Sequence, residues 1–353
     1  MQFILRDRRD VEKILKKIEK INPSYDITIM EVCGSHSQTI SKFALRSLLP
    51  KNIHLISGPG CPVCVTPARN IDIALEMAKN KDVIITTFGD AYRLPGTNGS
   101  LAEMKNVKII YSLEESVELA RKNPDKHIVH LAMGFETTSP STAVEILENQ
   151  DLDNFHIISS HRLIPPAMEF LVKGNNNIDA FICPGHVSAI IGSKPYEKLA
   201  KVYKKPSVVS GFEPVDVFLA TYMILEQLTT NDIKVEIEYD RAVRPEGNVV
   251  ALNKLKEVFD VEDANWRGLG VIEKSGFVLK KKFEKFDALK IFDVEVGESV
   301  DIKPGCKCGD IMKGLAKPTD CPHFKRGCTP QRPVGPCMVS VEGACNVAYR
   351  YGY

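Results

Sequence analysis

Val11, Ile14, Leu15, Ile18 and Ile21 recur at three- and four-residue spacing, so the chain opens with an amphipathic helix that ends near Asn22-Pro23. A different rhythm follows, of short apolar runs each closed by small or polar residues. Residues 27–30 precede Val32-Cys33-Gly34, residues 53–56 precede Gly58-Pro59-Gly60-Cys61, and residues 83–87 precede Phe88-Gly89-Asp90. The pattern returns at 128–133 before Gly134-Phe135-Glu136, at Ile157-Ile158 before Ser159-Ser160-His161, at 180–182 before Cys183-Pro184-Gly185-His186, and at Val208-Val209 before Ser210-Gly211-Phe212-Glu213. Helix starts lie between these runs. Thr66-Pro67 and Ser139-Pro140 each put a capping residue before a helix-compatible proline, and Ser112 with Glu115 makes a capping box.

Strands alternating with helices at this spacing predict parallel sheets covered by helices. The expected architecture is α/β: two Rossmann-like domains, residues 1–123 and 124–230, divided near Asn123-Pro124. From about Asn231 the rhythm gives way to charged, mixed segments and a cysteine-rich tail, so residues 231–353 are expected to form a third domain.

Charge removes one function class. Lys plus Arg number 46 against 45 Asp plus Glu, which leaves no positive field of the kind that attracts nucleic acid. No segment reaches the roughly 18 uncharged apolar residues of a membrane span. Arg6, Asp7, Arg8, Arg9 and Asp10 leave no room for the apolar stretch of a signal peptide. The expectation is a cytoplasmic protein. Ten cysteines in such a chain call for metal or redox roles, because reducing conditions disfavour structural disulfides.

Ligands of open parallel sheets bind beyond the carboxyl ends of the strands, and the reactive side chains fall there. Cys33, His36, Cys61, Cys64, Asp90, Glu136, His161, Cys183, His186 and Glu213 all occupy such loops. A lone loop His or Glu is usually a capped or solvated group, but the gathering of so many weakens that reading. Cys61-Pro62-Val63-Cys64 lies between a glycine turn and a helix that Thr66 should cap, so one thiol is expected near a positive helix terminus, able to exchange electrons or bind metal. Cys33, before Gly34 and His36, suits a single exposed thiolate that acts as ligand or nucleophile.

Six cysteines crowd the tail: Cys306, Cys308, Cys321, Cys328, Cys337 and Cys345. The paired knuckles of a zinc ribbon are missing, and so is the tight Cys-x-x-x-Cys-x-x-Cys loop of radical-SAM enzymes. Spread thiolates followed by prolines suit a 4Fe-4S cluster, which takes four of the six.

These residues resemble the HypD family of hydrogenase-maturation proteins nearly end to end. The likeness is carried by Met30-Glu31-Val32-Cys33-Gly34-Ser35-His36, Gly58-Pro59-Gly60-Cys61-Pro62-Val63-Cys64, Gly134-Phe135-Glu136-Thr137-Thr138, Cys183-Pro184-Gly185-His186-Val187, and Pro336-Cys337-Met338-Val339-Ser340 through Cys345. The resemblance implies two α/β domains, a third carrying a 4Fe-4S cluster, and a complex with a small HypC-type partner. On that complex iron acquires cyanide and carbon monoxide, the cyanide coming from a HypE-type donor. Cys33 is implied to hold the iron jointly with the partner, and Cys61 with Cys64 to relay electrons. His36, His186 and Glu136 are expected to form hydrogen bonds around the diatomic ligands.

Within the tail, an extended Cys306-Lys307-Cys308 would point its two thiols to opposite faces, so one should be spare. Cys321, Cys328 and Cys345 sit in separate turn contexts, whereas Cys337 directly precedes an apolar run. The expected ligands are therefore Cys306, Cys321, Cys328 and Cys345, with Cys308 and Cys337 as a redox pair. Two other readings fit fewer residues: an iron-sulfur thiol-disulfide reductase, and a zinc-stabilised interaction module. The protein alone is expected to be a monomer.

Overall fold

A computed structural model describes residues 8–174 and 177–353. The charged residues Arg6 and Asp7 lie outside the described part. The opening helix runs from Arg8 to Ile21, and every predicted strand is present.

Two parallel sheets form the frame. The first has the order β2-β1-β7-β8-β9 and the second β4-β3-β5-β6. In the first are β1 (Ile27–Glu31), β2 (Ile53–Ser57), β7 (Ala180–Pro184), β8 (Ser207–Ser210) and β9 (Val235–Ile237). The second holds β3 (Val83–Phe88), β4 (Val107–Ile110), β5 (His127–Gly134) and β6 (Phe155–His161). An antiparallel hairpin, β10 (Phe259–Trp266) and β11 (Gly270–Leu279), follows with a register shift between Glu262 and Ala264.

This corrects the expected domain boundaries. A cut between residues 123 and 124 would fall inside the second sheet, because β5 pairs directly with β3. The chain leaves the first sheet after β2, builds the whole second sheet, and returns with β7 on the free edge of β1. Sequence-adjacent strands read as one domain, but register between β1 and β7 is a long-range property that local patterning does not carry. Residues 231–353 are likewise distributed: β9 completes the first sheet, and helix Val249–Val258 with the hairpin covers the second.

Burial explains the distribution. Ile14 and Ile18 of the first helix meet Ile27, Ile29, Ile182 and Phe218 on the outer face of the first sheet. Phe155, Ile157, Val258, Phe283 and Phe286 fill the outer face of the second. The inner faces of both sheets share one large core, where Met30 and Phe181 of the first join Ile85, Leu131 and Ile158 of the second. Cys308, Cys337, Met338 and Cys345 of the tail belong to the same core. Among the described residues no helix is long and apolar enough to cross a membrane.

The second sheet also buries three histidines, His130, His156 and His161, of which the first and last lie against threonines. His130 Nδ1 lies 3.2 Å from Thr86 Oγ1, and His161 Nε2 lies 3.0 Å from Thr142 Oγ1. Burial pushes both rings down to about 3. They are neutral in the folded protein, whereas the unfolded chain protonates them near the ordinary value of about 6.5. Their contribution to stability is therefore complete above that value and is lost as the pH falls towards 3. Between about pH 6.5 and about pH 5 the pair costs about 3 kcal/mol. Glu31 and Glu136, raised by burial, act in the opposite sense over the same interval, so the difference between proteins is the readout: the urea midpoint of His130→Gln should fall less, or rise more, from about pH 6.5 to about pH 5 than that of the wild type, and equal changes in the two contradict the neutral, buried assignment.

Candidate functional site

In the first sheet the strand order reverses between β1 and β7, since β1 leads on to β2 at one side while β7 leads to β8 at the other. The crevice between the carboxyl ends of β1 and β7 is thus the topological switch point at which open parallel sheets bind ligands. Cys33 follows β1 there, and Cys183-Pro184 ends β7 opposite it.

Three close approaches hold the Cys33 loop. The Cys33 amide donates to Glu31 Oε2 at 3.0 Å, the Gly34 amide donates to the Gly60 carbonyl at 3.1 Å, and the Gly58 amide donates to the Glu31 carbonyl at 2.8 Å. A Cβ on Gly60 would stand 2.2 Å from the Cys33 nitrogen and 2.3 Å from the Val32 carbonyl carbon, both backbone atoms that cannot yield. Glycine at 60 is what lets the loop of Cys61 lie against the loop of Cys33. Gly34 has the same role towards the tail, where Glu342 Cβ would lie 2.3 Å from an added Cβ.

Cys33 precedes the helix Gly34–Lys42, and its sulfur accepts from the Ser35 and His36 amides at the helix start. The sequence suggested an exposed thiolate; the structure places Cys33 in the interior, 8% exposed. Burial, reinforced by the Glu342 carboxylate, pushes its thiol up to about 12 and outweighs the helix amides. Glu31 is raised to about 7 by burial, against hydrogen bonds from the Ser37 hydroxyl and the Cys33 amide.

His36 and His186 both join this site. His36 Nε2 donates to the Gly211 carbonyl at 2.8 Å, and its ring stacks on Phe212 at 5.0 Å. His186 stacks on the same Phe212 at 4.0 Å and is exposed. The Glu342 charge acts on both Cys33 and His186, and Glu342 Oε1 accepts from the Ser35 hydroxyl at 2.9 Å. Sequence reasoning passed over Glu342 and Phe212. Nothing near Glu342 in the chain marks it as a neighbour of Cys33, although it shares the motif that ends in Cys345.

Glu136 is not brought to Cys33. It lies in a separate pocket at the carboxyl end of β5, and no residue lining that pocket also lines the cleft between the Cys33 loop and the tail. His161 closes β6 and is buried in the second sheet, while Asp90 accepts a hydrogen bond from the Ser340 hydroxyl at 2.6 Å. Glu213 caps helix Pro214–Thr230 together with Asp216.

The Cys-x-x-Cys lies on a single helical turn, Pro62–Val65, with Cys61 in the capping position. Thr66 does not cap the next helix. Its hydroxyl turns back to the Pro62 carbonyl at 2.9 Å, and helix Ala68–Met77 has its first amide bound by Asp301 Oδ1 at 2.7 Å. Cys64 hydrogen-bonds both Cys61 and Cys337, and burial holds its thiol well above the ordinary range.

Cys337 in turn contacts Cys308 and Cys345. The sulfurs therefore form a continuous path from Cys61 through Cys64 and Cys337 to Cys308 and Cys345. The tail segment is not extended as expected, because Lys307 occupies the cap position of helix Cys308–Met312. Cys306 and Cys308 consequently place their sulfurs side by side, 2.5 and 2.7 Å from where a Cβ on Gly335 would stand. Cys328 lies against the same turn, its sulfur accepting from the Val334 amide at 3.3 Å, and Cys321 faces the Gly305 carbonyl beside Cys306. Buried Arg267 donates to the Asp301 and Pro95 carbonyls, and the charges of Cys306, Cys308 and Cys337 act on it.

All ten cysteines are free thiols. Among the described residues no three His, Cys, Asp or Glu side chains form a group that could hold one metal ion. A four-iron cluster makes a different demand, since each thiolate takes its own iron and the ligands stand around the cluster. Cys306, Cys308 and Cys328 border the Gly335 turn, Cys337 and Cys345 adjoin Cys308, and Cys321 lies at Gly305, a set of soft donors that fits that demand in kind.

The HypD family profile, described as hydrogenase formation hypA family, matches residues 9–352. A protein of Methanocaldococcus jannaschii named for hydrogenase expression/formation is 49% identical over 355 residues, covering 98% of each chain. The hydrogenase maturation factor HypD of Escherichia coli is 43% identical, covering 99% of this chain and 98% of its own. That of Cupriavidus necator is 40% identical, covering 100% and 97%. With its switch-point cysteine, its Cys-x-x-Cys and its tail thiols in one fold that the family profile spans almost throughout, the chain belongs to the HypD family of hydrogenase formation proteins.

Proposed function

We propose that this chain is the scaffold on which the iron of a nickel-iron hydrogenase acquires its cyanide and carbonyl ligands. The observation that supports this most is the unbroken sulfur path from the Cys61–Cys64 turn, beside the Cys33 loop, to the tail thiols.

In this reading the iron is cargo. Cys33 holds it jointly with a HypC-type partner, and cyanide arrives from a HypE-type donor. Metal binding displaces the Cys33 proton, and the Ser35 and His36 amides then face a thiolate. His186, with Phe212 behind it and Glu342 acting on it, offers a ring nitrogen at the solvent side of the crevice. The buried walls around Cys33 exclude water from a centre whose strong-field ligands require soft donors.

Cys306, Cys321, Cys328 and Cys345 are assigned as the ligands of a 4Fe-4S cluster, which when bound supplies single electrons. Cys308 and Cys337 act as a dithiol. When that dithiol closes to a disulfide as the Cys61–Cys64 disulfide reopens, two electrons and two protons pass between the pairs, and the Cys64–Cys337 contact provides the point of exchange. The side-by-side sulfurs of Cys306 and Cys308 leave the choice between them to experiment.

Three outcomes are expected. Cys33→Ser should abolish the infrared bands of iron-bound cyanide and carbonyl in protein co-expressed with its partner, with the iron and sulfide of the tail retained; persistence of the bands rejects Cys33 as the holder. Thiol blocking and mass spectrometry under mild oxidation should find Cys61 linked to Cys64, and two thiols that stay free in oxidant remove the relay. Single Cys→Ala variants purified without oxygen should lose their brown colour and their sulfide at Cys306, Cys321, Cys328 and Cys345 and keep both at Cys308 and Cys337. Loss at 308 with retention at 306 reverses that pair, while a colourless wild-type protein that carries zinc and no iron puts the interaction-module reading in place of this one.

A further inference from the structure

Glu136 has no part in the scheme above, and its surroundings suggest why it is there. Its carboxyl group is 3% exposed, just beyond the carboxyl end of β5. Oε1 accepts the Ile164 amide at 3.0 Å. Oε2 is buried without any partner.

The space in front of it is a cavity of about 330 Å³. Leu163, Pro166, Ile191, Leu255, Phe259 and Phe277 form its walls, and Lys256 stands at the rim. Burial pushes the Glu136 carboxyl up to about 8, so the neutral acid predominates at pH 7. With Oε1 already taken by the Ile164 amide, the proton belongs on Oε2. The result is one unmet hydrogen-bond donor in the wall of an apolar cavity. Leaving such a group unmet is costly, and a bound acceptor removes that cost.

Position agrees with chemistry. In the second sheet the strand order reverses between β3 and β5, so the end of β5 is a switch point like the one that holds Cys33 in the first sheet. The volume lies at the lower end of the range for small-molecule sites. An anion would meet no basic group on the floor, and a cation would need an ionised carboxylate in an apolar wall. A neutral acceptor satisfies the donor without burying charge.

The geometry points to a second binding site, for a small uncharged apolar molecule whose carbonyl oxygen accepts a hydrogen bond from Glu136. The site is independent of Cys33 and of any cluster, so its test stands apart from the iron-loading experiments.

Saturation-transfer NMR on the full chain at about pH 7 reads it, with three probes of one carbon skeleton: isovaleramide, isovalerate and isoamylamine. Isovaleramide should receive saturation, and the two charged probes should not. Glu136→Gln, which keeps a donor at the same place, should stay within about threefold of the wild-type affinity, whereas Glu136→Met should lose about tenfold. Leu252→Trp, which fills the mouth and leaves the carboxyl untouched, should abolish transfer, and its circular dichroism checks that the fold is intact. The proposal is overturned by absence of transfer to isovaleramide at its solubility limit, by equal transfer to all three probes, or by wild-type affinity in either Glu136→Met or Leu252→Trp.

Discussion

Everything in this fold turns on keeping sulfur in the interior. Nine of the ten cysteine side chains are buried, in the space where the two sheets face each other or in the loops that close it, and a thiolate in such a place is costly unless a cation or metal meets it. The consequence is visible group by group. Cys33 is pushed to about 12 by burial and by Glu342, Cys64 is held well up by burial, and Cys306 is raised first by donating to Cys308 and then by burial. In the absence of metal these are neutral thiols, and the neutral state packs like a small hydrophobe.

That constraint accounts for the chain's winding path. The tail has to reach the inner faces of both sheets to bury Met312, Cys337 and Met338, and it does so by polar anchors on each side. The Ser340 hydroxyl binds Asp90 beyond β3, Glu342 accepts from Ser35 beyond β1, and Asp301 takes the Ala68 amide and the Asn265 side chain. Arg267 is the complementary piece: a guanidinium 1% exposed, donating to main-chain carbonyls, with Asp301 and three thiols as its electrostatic environment. A buried cation in that position makes ionised sulfur cheaper than it would otherwise be.

The parts legible in the sequence are those with short-range signatures. Seven strand runs were readable because an apolar stretch closed by glycine or a polar residue is a local pattern, and the Ser112–Glu115 capping box is complete within four residues. β4 went unseen because Val107 and Ile110 flank exposed positions at a sheet edge. The grouping of strands into sheets was not legible, since the pairing of Ile29 with Ala180 joins residues about 150 positions apart and leaves no mark on either. Cys33, His36 and His186 could be picked out because each follows a strand within a motif of the family, whereas the crevice that unites them depends on the pairing of β1 with β7. Glu342 and Phe212 could not, as each owes its place to tertiary packing. The cap assigned to Thr66 failed for a physical reason: the one-turn helix Pro62–Val65 gives its hydroxyl a nearer acceptor than the helix ahead of it.

Glu136 shows how a correct general rule can mislead in detail. Carboxyl ends of parallel strands gather functional side chains, but a chain with two such sheets has two gathering places, and the rule does not say which loop feeds which. β1 and β7 bring Cys33 and His186 to one crevice, while β3 and β5 bring Asp90 and Glu136 to the other sheet's edge. There the two acids meet different fates. Asp90 is claimed by Ser340 and so ties the tail down, whereas Glu136 faces an apolar cavity with one oxygen unmet. Tyr196, wholly buried and hydrogen-bonded to Ser188, lies within electrostatic reach of Cys183, Glu136 and Cys33 alike, which places it between the two crevices. A change in charge at either edge therefore has to be accommodated by the same buried hydroxyl, and the two sheets are electrostatically joined at that point even though their strands never pair.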